Sequence, residues 1–427
     1  MALAQPTESP KSSFHAEVTN YPALAMVTTL FFMWGFLTCL NDILIPHLKS
    51  IFDLNYAEVM LVQFAFFGSY FVFSLPSGKL IDIVGYKKSM VAGLFTMGVG
   101  ALLFLPAASV PSFPLFLTAL IVLAAGMTIL QVSANPYVAV LGPEKTAASR
   151  LNLAQAFNSF GTFIAPAIGG LLILSSAPVA IDVFRQMSPE AQQAYRVAQA
   201  SSVKLPYLGF ALALFALGVV IALFKLPHIP GVERNGARVN DSVWHHRHLV
   251  LGAIAIFVYV GAEVAIGSFL VNYFSQSDIG NVSEKVAAGL VTFYWGGAMV
   301  GRFIGSALQQ KIAPNKILGV CAIMAALLVC ITMLTFHREA MWSIIAVGLF
   351  NSIMFPTIFT LSIEGLGPLT GDGSSLLVAA IVGGAVIPLA QGALADRIGI
   401  HHAFFLPILC YIYIIFFAFR GYRHPAS

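Results

Sequence analysis

Gly78-Lys79-Leu80-Ile81-Asp82-Ile83-Val84-Gly85-Tyr86-Lys87-Lys88 is a polar corner between two long apolar stretches, 58–82 and 88–108. Each flank is long enough to cross about 30 Å of hydrocarbon as a helix, which takes about 20 apolar residues. A helix is the natural form there, because it satisfies its own backbone in lipid; barrel strands would alternate over about ten residues instead. The corner therefore reads as a turn joining two membrane spans. Outward from it the pattern recurs, with apolar stretches near 22–47, 112–141, 148–174, 205–225, 249–274, 286–309, 316–336, 340–363, 374–394 and 403–420. With the two around the corner they make twelve expected spans.

Composition demands the same solvent. Hydrophobic residues make up 58% of the 427 and charged residues 9%, with a mean hydropathy of +0.86. A soluble domain carries about 25% charged residues. This chain cannot wet a whole surface, so the bilayer is its expected partner. Lys+Arg number 22 against 18 Asp+Glu, a net +4, too small and scattered for a nucleic-acid footprint. The cysteines Cys39, Cys321, Cys330 and Cys410 are dispersed and form no CxxC pair. They read as apolar packing groups, and neither a metal site nor a disulfide framework is expected. HExxH, GxSxG and P-loop signatures are absent, so an enzyme is not expected, nor a cofactor. Residues 1–20 are polar and the first span is long enough to stay in the membrane, so a cleavable signal is not read.

With the N-terminus inside, cations near span ends favour the inner face by roughly two to one, which places both termini in the cytoplasm. The most polar internal stretch, Pro227–His248, separates six spans from six. Its three histidines, His245, His246 and His248, read as part of a solvated basic loop facing anionic headgroups. The expected organisation is a tail at 1–20, a six-helix bundle at 21–226, a cytoplasmic linker at 227–248, a second bundle at 249–420 and a tail at 421–427.

The halves echo each other. Asn135-Pro136, Ala165-Pro166 and Gly169-Gly170-Leu171 in the first correspond to Phe355-Pro356, Ile387-Pro388 and Gly392-Ala393-Leu394 in the second. The corner itself, Gly78 to Gly85, is echoed by Gly392-Ala393-Leu394-Ala395-Asp396-Arg397-Ile398-Gly399, which falls on the opposite face, as an inverted repeat requires. Such repeats place a substrate site between the halves near the midplane.

Polar residues inside a span are costly and need a partner, a cavity or a function. Asp42 follows Asn41 toward the outer half of span 1; a carboxyl there can exchange protons and accept hydrogen bonds from hydroxyls. Glu263 lies in span 7, the counterpart of span 1 in the second half. Gln131 and Asn135 share one face of span 4. Asn152, Gln155 and Asn158 step by three along span 5. Amides both donate and accept, which suits a polyhydroxylated ligand. Asn272, Trp295 and Asn351 are further candidates, Trp295 as a stacking face for a sugar ring. In the corner, Gly78, Asp82, Gly85, Lys87 and Lys88 form a candidate gate. Asp82 would sit at the positive end of span 11, near Gly371-Asp372-Gly373-Ser374, with Arg302 a further member.

Gly78 to Lys88 resembles the loop motif of the major facilitator superfamily. More specific are Trp34-Gly35-Phe36 leading to Asn41-Asp42, Ser133 to Tyr137, Leu151 to Gly161, and Phe355 to Phe359. Together these resemble the fucose–proton symporter family, and within it the glucose/galactose branch, over roughly residues 20–420. The resemblance implies an all-α membrane protein, twelve helices in two pseudo-symmetric six-helix bundles, with sugar and a coupling proton bound between them. In fucose-type members an Asp on helix 1, a Glu on helix 4 and an Asn on helix 5 are central. Asp42 and Asn158 match the first and third; Gln131 stands at the second and cannot titrate, so the second carboxylate role passes to Glu263.

The expected function is import of a hexose by proton symport in a bacterial inner membrane, by a monomer. Alternatives are an amino-sugar or fucose permease, a sodium-coupled carrier and a non-transporting sugar sensor.

Overall fold

The computed structural model describes residues 18–52, 56–110, 112–173, 186–201, 203–228 and 241–423, leaving aside the side chains at 40–60, at 169–173 and at a few scattered positions. Helices dominate, and the chain folds as twelve membrane helices in two pseudo-symmetric bundles of six. Span 1 is the helix Tyr21–Phe52. Spans 2 and 3 form a continuous hydrogen-bonded run, Tyr56–Ser109, broken at Gly85. Spans 4 to 6 are Phe113–Val140, Ala147–Ile173 and Lys204–Leu223. Spans 7 to 9 are Arg247–Phe274, Glu284–Leu308 and Pro314–Leu334.

The last three spans are interrupted. Span 10 is built from His337–Asn351 and Met354–Ile363. Span 11 is Thr370–Ala379 and Gly383–Ile398, joined by a 3-10 turn. Span 12 is Ile400–Ala403 and Phe405–Phe416, ending in a π-turn. Among the described residues nine helical segments are long and apolar enough to cross a membrane, one of them, at 46 residues, with length for two crossings. Spans 5 and 8 have the length, at 27 and 25 residues; they carry many of the polar side chains that meet at the centre.

The corner quoted above and its echo share one backbone conformation. Gly85 has φ 80° and ψ 169°; Gly399 has φ 81° and ψ 154°. Side-chain-bearing residues avoid this region, so glycine is required at both turns. Spans alternate in direction, which puts the two on opposite faces of the bundle. The face with Gly85, Lys87, Lys145 and Lys311 is called the basic face below. Lys87 there donates from Nζ to the Ala222 carbonyl at 2.8 Å, tying the corner to span 6.

Apolar helices gain no hydrophobic energy by meeting in lipid, so close packing and small residues must hold them. Span 1 meets span 5 at Gly35 and Gly161: a Cβ on Gly35 would run into the Asn158 carbonyl, and one on Gly161 into the Phe32 carbonyl. The equivalent pair in the second half, spans 7 and 11, meets at Gly261 against Ile387 and at Gly383 against the Phe257 carbonyl. Spans 8 and 10 meet at Gly301 and Gly348. Glycine therefore recurs at the same pairwise junctions in both halves, where backbones approach too closely for a side chain.

Arg150 shows what a buried cation needs. It is 4% exposed and faces carbonyls at the end of span 4. Nε donates to Val138 O at 3.2 Å, Nη1 to Pro143 O at 2.9 Å and Nη2 to Gly142 O at 3.0 Å, with Ala139 O a further acceptor. The carbonyls left open by the helix end carry partial negative charge, so the cation is satisfied without a carboxylate.

At the start of span 7 the Asp241 carboxylate accepts from His245 Nδ1 at 3.1 Å and His246 Nε2 at 2.8 Å. These contacts, His245 first, hold that carboxyl down at about 2. His248 turns inward, its Nε2 lying 3.0 Å from the Glu364 carbonyl oxygen. The three histidines are thus divided, and among the described residues there is no group of three metal-ligating side chains. The segment after span 5 contains the helix Pro189–Ser201, which begins on Ser188 and rests against spans 1 and 2.

Gly35→Ala should lower the thermal midpoint of the purified protein by several degrees, since forced overpacking costs about 1–3 kcal/mol. Gly209→Ala, with nothing within 4 Å of the new Cβ, should leave it unchanged.

Candidate functional site

The halves touch on the basic-face side of the midplane, through a set of polar contacts flanked by apolar ones such as Phe157 on Phe303 and Phe67 on Gly384. Ser149 at the start of span 5 donates to Ser306 O at 2.7 Å, and Ser306 Oγ donates back to Ser149 O at 2.9 Å. One turn deeper, Asn152 Nδ2 donates to Gln309 Oε1 at 2.6 Å and lies 3.4 Å from Thr357 Oγ1. Gln309 Nε2 donates to the same Thr357 hydroxyl at 2.7 Å. Deeper still, Arg302 donates from Nη1 to Gln155 O at 3.2 Å and to Ser159 Oγ, while its Nε donates to Ser352 O at 3.1 Å. Ser374 of span 11 donates to Val132 O of span 4 at 2.8 Å. Beside that bond, Gly78 packs on Ser375, and Asp82 Oδ1 lies 3.7 Å from where a Cβ of Gly371 would be. The Asp82 carboxylate therefore stands at the first turn of the helix that opens span 11. The protein is closed at its basic face.

Of the residues singled out from sequence, Asn152, Arg302, Gly78 and Asp82 belong to this seal, and Gln131 and Asn135 flank the Val132 carbonyl that Ser374 bonds. In the first half, Gln131 is 8% exposed and Asn135 and Asn152 are fully buried. Gln131 Nε2 donates to Tyr70 OH at 3.0 Å. Gln155 Nε2 lies 3.4 Å from Asn135 Oδ1. Asn158 Nδ2 donates to Phe31 O at 2.9 Å, pinning span 5 to span 1. Among the described residues, Asn135 Nδ2 and Asn152 Oδ1 are buried without a hydrogen-bond partner, and a buried amide left unpaired costs about 1–3 kcal/mol. Asn41 and Asp42 lie on span 1, outside the residues whose side chains are described.

In the second half Glu263 is half-buried on span 7. Tyr259, one turn before it, shares its face of the helix. Around Glu263 is a tyrosine cluster. Tyr294 OH donates to the Glu263 carbonyl at 3.5 Å and accepts from Asn351 Nδ2 at 2.9 Å. Tyr411 OH donates to Asn351 Oδ1 at 2.8 Å, and Tyr259 OH to Asn351 O at 3.0 Å. Asn351 is fully buried, with both ends of its amide taken by tyrosines. Trp295 is 39% exposed, edge-on to Tyr294 at 5.1 Å between ring centroids and packed on Gly267. Asn272, near the end of span 7 away from the basic face, is exposed.

The structure thus brings Gln155 and Arg302 together across the halves, and Glu263 and Asn351 within one half. Asn272 stands apart from both groups. Sequence reading passed over Ser149, Ser306, Gln309 and Thr357 as members of the seal, named Ser374 only as part of the start of span 11, and passed over Tyr70, Tyr294 and Tyr411 among the amides. A serine or tyrosine in an apolar helix costs too little to stand out, and nothing local says which face meets the other half. Gln391 was also passed over; it is fully buried in span 11, with neither amide atom hydrogen-bonded to any of the described residues.

Two bundles of six helices, sealed on one face by separable hydrogen bonds, with amides and a carboxylate near the seal, define a membrane carrier. The chain belongs to the Major Facilitator Superfamily, whose profile matches residues 24–381. It is 53% identical over 423 residues, covering 99% of both chains, to a glucose/galactose transporter of Brucella abortus. It is 37% identical to the L-fucose-proton symporter of Escherichia coli, covering 92% of each. A solved structure of that fucose:proton symporter superposes with a TM-score of 0.88 at 35% identity, covering 95% of this chain and 99% of the other.

Gln309→Ala should weaken the seal by removing the partner of both Asn152 and Thr357. A cysteine placed at Ser149 should then react several-fold faster with a maleimide applied from the basic face.

Proposed function

We propose that this protein imports a hexose of the glucose/galactose type together with a proton, by alternating access between its two bundles. The observation that carries the reading is the identity to a glucose/galactose transporter along essentially the whole chain. A cluster of buried amides on spans 4 and 5, suited to hydroxyl groups, supports it. The basic face lies in the cytoplasm of a bacterial cell, the protein spans the inner membrane, and both termini are cytoplasmic. The linker at 227–248 joins bundles at 21–226 and 249–420. The carrier works as a monomer.

In this reading the present structure is the outward-facing state. Sugar enters from the periplasm and meets Gln131, Asn135, Gln155 and Asn158 of the first half, with Asn41 in the outer half of span 1. Asn135 supports this assignment because its buried Nδ2 has a donor to spare. Asp42 and Glu263 are the proton-linked carboxylates. Gln131 is committed to Tyr70 and carries no titratable proton, so it does not supply the second one. Arrival of sugar and proton weakens the contacts at the basic face; the bundles rock, and both are released inside. The proton gradient and membrane potential drive the cycle, each charge moved being worth about 2.3 kcal/mol per 100 mV. The gate is the corner residues Gly78, Asp82, Gly85, Lys87 and Lys88 with Arg302. Asp82 favours closure by facing the positive end of a span 11 helix, a contact worth about 0.3–1 kcal/mol.

Uptake into proteoliposomes with an inward proton gradient tests the reading. Labelled glucose should accumulate, unlabelled galactose should compete, and an uncoupler should abolish accumulation. Equilibration without accumulation would speak against symport; no uptake of any hexose would sink the assignment. Glu263→Gln should lose accumulation, and an unimpaired variant would remove that residue from the proton path. Asp82→Asn should slow turnover several-fold with little change in sugar affinity.

A further inference from the structure

Asn351 sits where three features coincide. It ends the first helix of span 10, its amide is held between Tyr294 of span 8 and Tyr411 of span 12, and its carbonyl accepts from Tyr259 of span 7. Four spans of one half therefore meet on a single residue. The next residue, Ser352, lies in the break of span 10 and presents its carbonyl to Arg302 Nε at 3.1 Å. Arg302 Nη1 then reaches across to Gln155 O and Ser159 Oγ of the other half. Tyr294, which accepts from Asn351, also donates to the Glu263 backbone carbonyl, and Tyr259, which donates to the Asn351 carbonyl, lies one turn before Glu263 on the same helix. A line of hydrogen bonds thus runs from the Glu263 backbone carbonyl through Tyr294 and Asn351 to the span 10 break, then through Arg302 to the seam.

The packing leaves Arg302 little freedom on its own. Gly301 is pressed onto Ser352 and the Leu349 carbonyl, and Gly348 onto the Tyr294 backbone. Where the break in span 10 goes, the guanidinium must follow. Arg302 spends its described bonds on neutral oxygens, two of them from the opposite half, so its grip depends on their position.

We propose that Asn351 is a positioning residue that couples the Glu263 region of span 7 to the seam: it fixes the span 10 break so that Arg302 bridges the halves while Tyr294 holds the Glu263 backbone carbonyl. It is not a sugar contact, since its amide is already engaged. This rests on the symport reading for the role of Glu263; the link from Asn351 to the seam does not.

The test uses Asn351→Ala, with Tyr294→Phe and Tyr411→Phe as milder variants that delete one hydroxyl each, should the first fail to fold. All are placed in a background with the four native cysteines replaced and Ser306→Cys as a reporter. Two assays are run in proteoliposomes with labelled glucose: exchange without a gradient, and accumulation with one. A third follows maleimide modification of the cysteine at 306 from the basic face. The expected result is exchange with KM within threefold of the parent, accumulation reduced from at least tenfold to under twofold, and modification at least threefold faster.

A tenfold rise in exchange KM would make Asn351 a sugar contact and overturn the proposal. Exchange and accumulation falling together would reduce it to a structural residue and also overturn it. Unchanged modification at 306 would break the link to the seam. If the parent exchanges glucose but never accumulates it, the symport reading fails, and the modification rates still decide whether Asn351 holds the bridge.

Discussion

Lipid cannot hydrogen-bond, and every other feature of this protein answers to that constraint. Backbone groups are satisfied by helices. Hydroxyls are satisfied locally: Thr28, Ser69, Ser77, Thr128 and Thr332 each donate to the carbonyl four residues earlier. Helices are held by fit rather than by the hydrophobic effect, hence glycine at the junctions of spans 1 and 5, 7 and 11, and 8 and 10. Polar side chains that cannot bond within their own helix must meet at the middle, and there the two halves come together.

The seam is well suited to opening. Its described hydrogen bonds are mostly between neutral groups, serine to serine and amide to amide, with Arg302 as the charged member. Polar contacts between membrane helices are individually worth about 0.6 kcal/mol on average. A set of such bonds specifies one closed arrangement without making it permanent. A pair of buried opposite charges would hold more tightly and cost several kcal/mol to separate. Arg150 makes the contrast within the same protein: held by a fan of carbonyls of its own half, it is a fixed part of its bundle. Arg302 divides its bonds between halves and belongs to the moving part.

The unpaired groups lie where motion or binding is expected. Asn135 Nδ2, Asn152 Oδ1 and the Gln391 amide are all buried without partners among the described residues. Uncompensated buried amides are rare in folded proteins, and each one calls for a cause. Asn135 and Asn152 sit beside the seam or just above it, where a second conformation or a ligand can supply the missing bond. Gln391 lies beyond Pro388 in the second helix of span 11, the span whose first helix opens beside Asp82.

The sequence alone determined the solvent, the number of spans, the division into halves and the inverted echo of the corner. Those depend on length, hydropathy and residues such as glycine and proline whose effect is local. It also pointed to Glu263, because a carboxyl in a span is costly wherever it falls. The joint role of Gly85 and Gly399 was visible as a pattern, and their matching dihedrals give it a physical cause. Only the tertiary structure decided which polar groups face each other. Asn152 finds Gln309, Arg302 finds Gln155 and Ser159, and Asn351 is shut among tyrosines, because the rotation of each helix is set by packing against others distant in sequence. Polarity shows that a residue needs a partner; the assembled bundle supplies its identity.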